Sequence, residues 1–119
     1  THRRYISVDG GMSDNIRPSL YGAEYTTILA NRTSSAAHTS SRLVGKHCET
    51  GDIIIREIDL PEDIVPGDLL AVPATGAYGR SMASNYNHVP RPSVVAVKDG
   101  KARVIVRRES IEDLLALDI

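Results

Sequence analysis

The chain has no Phe, no Trp, a single Cys and no excess of either charge sign among its 119 residues. Without Phe and Trp the core must be aliphatic, and each of the five Tyr rings carries a hydroxyl able to hydrogen-bond. One cysteine, Cys48, excludes an intrachain disulfide framework and any Cys-rich zinc module. It fits a reducing compartment and so points to the cytoplasm. Fourteen basic against fifteen acidic residues leave a net charge of −1, which gives no global field toward nucleic acid or an anionic membrane. No apolar run approaches the ~20 residues needed to span a bilayer. His2, Arg3 and Arg4 lead into a strand-like stretch and not into a signal peptide. The chain begins at Thr1 and not at Met, as a piece of something longer would. What is present, 41% hydrophobic and 24% charged residues, suits one ordinary soluble domain.

Strand periodicity dominates. Tyr5-Ile6-Ser7-Val8, Tyr25 to Ala30, Arg42 to Gly45, Asp52 to Ile55 and Leu69 to Val72 are short β-branched or aliphatic runs bounded by turn residues. The sharpest local signal is a hairpin, Val94–Lys98 and Lys101–Val106 around Asp99-Gly100, the pair a type I′ turn requires. The second of these strands has no uniformly apolar face and is expected near an edge. Ser110 and Asp113 resemble a capping box opening a short helix through Leu114, Leu115 and Leu117, with its leucines on the sheet. Asn31 to Ser41 is polar and aperiodic and reads as a mobile loop; its Asn31-Arg32-Thr33 sequon is taken as chance. The expected fold is mainly β, a small β-barrel or sandwich with short helices at its margins.

Four segments look unlike plain sheet or turn. In the first, Asp14 to Gly22, Pro18 biases Arg17 toward an extended backbone four residues before Tyr21. A guanidinium and a phenol at that spacing can bind a carboxylate; the plainer reading is a surface Arg and a half-buried Tyr. In the second, Gly45 to Asp52, Cys48 lies among polar residues between two glycines. Its thiol can exchange a proton there, with Lys46 and His47 favouring the thiolate and Glu49 opposing it. A lone Cys is more often a small buried hydrophobe. No metal-ligand spacing accompanies it. In the third, Thr75 to Ser81, glycines flank Tyr78 in a tight turn whose N–H groups could meet a phosphate if a helix starts there. The fourth, Met82 to Pro92, reads as a loop ordered by Asn side chains.

Taken in order, Asp9-Gly10-Gly11-Met12-Ser13-Asp14-Asn15-Ile16-Arg17-Pro18-Ser19-Leu20-Tyr21, Cys48-Glu49-Thr50-Gly51-Asp52, Gly76-Ala77-Tyr78-Gly79 and Ser84-Asn85-Tyr86-Asn87 resemble the C-terminal part of the diaminopimelate decarboxylases. The resemblance runs from Tyr5 to about Asp118, with a poor match at Asn31 to Ser41. It implies an alanine-racemase-like fold type III carboxy-lyase that uses pyridoxal 5′-phosphate to convert meso-2,6-diaminopimelate to L-lysine and CO2, the last step of lysine biosynthesis. Residues 1–119 would be the C-terminal β domain, and the N-terminal (β/α)₈ cofactor barrel, which needs about 250 residues, is absent from the chain. None of Lys46, Lys98 and Lys101 matches the family's cofactor lysine, so the chain alone should be inactive. The resemblance places Arg17 and Tyr21 on the substrate's far carboxylate and Glu49 on its far amino group. It makes Cys48 the catalytic proton donor and sets Tyr78 against substrate and cofactor phosphate. It also implies a homodimer whose active sites are shared between subunits. Thr50 and Ala83 depart from the family's frequent Ser without touching these positions. Rival readings are a related decarboxylase of ornithine, arginine or carboxynorspermidine, and a stand-alone β-barrel binding module without catalysis.

Overall fold

β-Branched and aliphatic residues place the strands, and the turn residues between them set where each strand stops. A computed structural model describes residues 3–119; Thr1 and His2, which begin the chain and its basic lead-in, lie outside the described residues. The largest sheet has strand order β1-β3-β4, from β1 (Arg4–Ser7), β3 (His38–Val44) and β4 (Ile53–Pro61). β3 runs parallel to β1 and antiparallel to β4, so Leu43 stands opposite Ile6 on one side and Ile55 on the other. Leu43 is only 1% exposed and, with Ile55 and Leu60, forms a small aliphatic core. β2 (Ile28–Leu29) pairs with β5 (Leu70–Ala71), and β6 (Val94–Lys98) with β7 (Lys101–Val106).

The mainly β class is as expected, with short helices α1 (Arg17–Tyr21), α2 (Gly76–Met82) and α3 (Ile111–Leu114) at the margins. Barrel is too strong a word, because among the described residues the strands hydrogen-bond in three separate sheets and none closes on itself. The β2–β5 ladder stops after two pairs because Pro66-Gly67 and Pro73 bracket β5. The hairpin forms as the Asp99-Gly100 pair predicts, both residues at positive φ (49° and 71°). β7 pairs with β6 alone in its sheet, and its Val104 and Ile105 are exposed, in keeping with its mixed faces.

Three expectations fail locally. The segment from Asn31 to Ser41 is an ordered connection. Arg32 forks onto Asp68 at 2.9 and 2.7 Å and reaches Asp63 at 3.0 Å, and β3 begins at His38. The Arg32 hydrogen bond holds the Asp68 carboxyl well below the usual carboxylate range. Asn31 is spent on Asp68 and on the Leu69 N–H. Arg17 is not extended but opens α1, because Pro18 sits in the first turn, where its missing N–H would have no partner anyway. At the carboxyl end the Ser110–Asp113 capping box is complete, but the helix ends at Leu114, and Leu115 and Leu117 face solvent instead of the sheet. A four-residue helix has too short an apolar face to bury them.

An open cleft of about 1040 Å³ lies beside the core, lined in part by Tyr5, Ile6, Ile54, Leu70, Val72 and Val94. Among the described residues, no helix is long and apolar enough to cross a membrane.

Candidate functional site

The turn from Gly10 to Asp14 joins the segments that the sequence singled out. Lys46 N–H donates to the Gly10 carbonyl at 3.1 Å, and Ser84 N–H donates to the Ser13 carbonyl at 3.0 Å. The buried Asp52 carboxylate locks the arrangement: Oδ1 accepts from Met12 N–H and Oδ2 from His47 N–H, each at 2.7 Å. Gly45 allows this approach, since a Cβ there would overlap the Asp52 carboxylate. The turn carrying Cys48 and Glu49 is thus tied to the loop that leads into α1.

Within that turn the three central side chains part company. His47 points inward, 8% exposed, with Nε2 2.8 Å from Ser13 Oγ. Its ring is therefore engaged with Ser13 and packed inside the turn. Cys48 is a free, exposed thiol and not the buried hydrophobe of the plainer reading. Glu49 is also exposed, and its Oε2 accepts from the Tyr86 hydroxyl at 2.9 Å. That bond raises the Tyr86 phenol above its ordinary range, because the carboxylate beside it disfavours phenolate. The Tyr86 ring also meets His47 edge-on at 5.4 Å.

Arg17 and Tyr21 are one helical turn apart, so they share a face of α1 although the extended segment did not materialise. Gly22 caps that helix at φ 70°. The Tyr21 hydroxyl contacts Met82 Sδ at 3.9 Å, which brings α1 against the end of α2. Tyr78 lies in α2 at a kink, with φ 63°, a conformation that costs a bulky side chain energy. Its phenol is 73% exposed, while its carbonyl accepts from Ser81 Oγ. A helix does start beside Thr75, but the kink at Ala77 and Tyr78 breaks its first turn.

The structure thus brings the Cys48-Glu49 turn together with the α1 and Ser84–Tyr86 segments, and links Tyr21 to the end of α2. None of Arg17, Tyr21, Cys48, Glu49 and Tyr78 lines the large cleft. Sequence reasoning assigned no role to Tyr86, Ser13 or Asp52. Their only signal was position inside the quoted motifs. A further network fixes the Tyr86 segment from behind. Glu109 Oε2 accepts from Asn85 Nδ2 at 2.6 Å and from Arg91 N–H at 2.7 Å, and Oε1 from Arg91 Nη1 at 2.8 Å. These bonds, the Arg91 backbone N–H first, hold the Glu109 carboxyl down at about 2.

As donors toward a pyridoxal phosphate, the described residues offer an exposed phenol at Tyr78, suited to a phosphate oxygen. Lys98 and Lys101 flank the hairpin turn, and Lys46 lies in the turn beside Gly10.

The family described as the pyridoxal-dependent decarboxylase C-terminal sheet domain matches residues 1–76. The chain is 61% identical to the diaminopimelate decarboxylase of Mycobacterium tuberculosis over 118 residues, 99% of this chain and 26% of that protein. It is 55% identical to the diaminopimelate decarboxylase of Bacillus subtilis, over 98% of this chain and 26% of that protein. The crystal structure of diaminopimelate decarboxylase from Helicobacter pylori complexed with L-lysine matches at 41% identity and a TM-score of 0.89, covering 99% of this chain and 29% of that one. The chain therefore spans about a quarter of the length of the curated relatives it matches. With its sequence matched over residues 1–76 and its fold over nearly all of it, the chain belongs to the C-terminal sheet-domain family of the pyridoxal-dependent decarboxylases.

Proposed function

We propose that residues 1–119 are the C-terminal β domain of a cytoplasmic diaminopimelate decarboxylase whose N-terminal (β/α)₈ barrel carries the cofactor lysine. The observation that carries this reading is 61% identity to a diaminopimelate decarboxylase along 99% of the chain. An exposed, free Cys48 suits a reducing compartment. Bound pyridoxal phosphate draws electrons away from the carbon that loses CO2. This chain's residues supply position and protons. The Cys48 thiol delivers a proton to that carbon as general acid. Arg17 takes the substrate's far carboxylate through two parallel hydrogen bonds, and Tyr21 adds a third. Glu49 accepts from the far ammonium, and the Tyr78 phenol donates to the cofactor phosphate and touches substrate.

A substrate with an amino acid at each end needs one cation and one anion for the non-reacting end, which Arg17 and Glu49 provide. Tyr21, Cys48, Glu49 and Tyr78 are all exposed, a poor state for chemistry that needs water excluded. That exposure supports a site closed by the barrel and by a second subunit, as a homodimer with shared sites would do. The test is a substrate profile of the full-length protein loaded with cofactor. It should release CO2 and L-lysine from meso-diaminopimelate and act poorly on ornithine, arginine and carboxynorspermidine, while the 119-residue chain alone releases nothing. Turnover of ornithine without turnover of diaminopimelate would contradict the proposal.

A further inference from the structure

We propose that Tyr86 is a positioning residue for Glu49: its phenol holds one carboxylate oxygen and so aims the other at the substrate's far ammonium. This rests on the role given to Glu49 above. The contact is a single hydrogen bond of 2.9 Å from the Tyr86 hydroxyl to Glu49 Oε2. A phenol has one proton to give, so Oε1 keeps its full acceptor capacity for a second donor. Left to itself, an exposed glutamate with three free torsions spreads over many rotamers, and a site that must order it at each binding event binds more weakly.

Both ends of the bond are anchored to one loop. On the Glu49 side, its N–H donates to the His47 carbonyl at 2.8 Å and its carbonyl accepts from Asp52 N–H at 3.1 Å. Asp52 and the His47 ring in turn fasten to Met12 and Ser13. On the Tyr86 side, its N–H donates to Ser84 Oγ, and Ser84 N–H donates to the Ser13 carbonyl. The Tyr86 ring edge against the His47 ring closes the circuit at 5.4 Å. The phenol is therefore a fixed post from which the carboxylate is held, and the carboxylate beside it raises the phenol above its ordinary value.

The experiment uses the full-length enzyme with Tyr86→Phe, Glu49→Gln and the double variant. Tyr86→Phe should raise KM for meso-diaminopimelate about tenfold, as for a lost hydrogen bond to a charged group, while kcat stays within about threefold. In the Glu49→Gln background the same change should add little, because the two act as one unit. An unchanged KM in Tyr86→Phe, or independent multiplication of the two effects, would overturn the proposal. A second readout needs no turnover. With 13C-labelled tyrosine, the signal missing from Tyr86→Phe should titrate above its ordinary value in the parent and return toward it in Glu49→Gln. An unshifted titration would also overturn the proposal. If the parent enzyme failed to turn over diaminopimelate while this shift was present, the substrate reading would fall and the Tyr86–Glu49 contact would stand.

Discussion

At the scale of single residues, scarce side chains sit at the exposed surface and common ones hold them there. The one thiol, Cys48, projects from a turn whose backbone is fixed by the buried Asp52, and Tyr78 projects from a kink in a conformation that only a constrained segment tolerates. An acid that acts only in the transition state should show itself in kcat. We expect Cys48→Ala in the full-length enzyme to lower kcat by about 10²–10⁴ while KM moves by less than about threefold, measured by CO2 release. A raised KM with unchanged kcat would take Cys48 out of that role. Asp52 has a different task. Its two oxygens accept from backbone N–H groups of separate segments, so its loss would loosen the site without touching the reacting carbon.

At the scale of elements, the segment bearing Tyr86 is held by Glu109, at the far end of the β6–β7 hairpin, through Asn85 and Arg91. The Glu109 carboxyl is depressed from 4.5 to about 2, so its contribution to folding is complete above about pH 4.5 and is lost as pH falls toward about 2. Hydrogen exchange across residues 84–92 should therefore be faster in Glu109→Gln than in the parent at neutral pH, with the difference shrinking below about pH 4.5. A difference that persists unchanged at pH 2 would contradict this assignment. The hairpin and the capping box were legible in the sequence because both are local devices, complete within a few residues: Asp99-Gly100 for one, Ser110 and Asp113 for the other. The Asn31–Ser41 connection was not, because its order comes from Arg32 meeting Asp63 and Asp68, about thirty or more positions away. Arg17 is helical although it precedes a proline, because Pro18 disfavours helix before it in general but is accommodated in a first turn.

At the scale of the whole molecule, the chain is about a quarter of the length of its curated relatives, and Tyr21, Cys48, Glu49 and Tyr78 are exposed and do not line its cleft. Two buried donors, Asn15 Nδ2 and Arg91 Nε, have no partner among the described residues, and both residues line that cleft. The family motifs name candidate residues but not the contacts that hold them. The Tyr86–Glu49 bond joins positions 37 apart, and no spacing rule within either motif predicts it. The central claim is that this domain reads the non-reacting end of a substrate bearing an amine and a carboxylate there. Its most direct test compares meso-diaminopimelate with 2-aminopimelate, which lacks the far amine, in the full-length enzyme and its Glu49→Gln variant. The account predicts that Glu49→Gln lowers kcat/KM for diaminopimelate by about thirtyfold or more, the cost of leaving the ammonium without its partner, and leaves 2-aminopimelate unharmed. An equal loss on both substrates would contradict it.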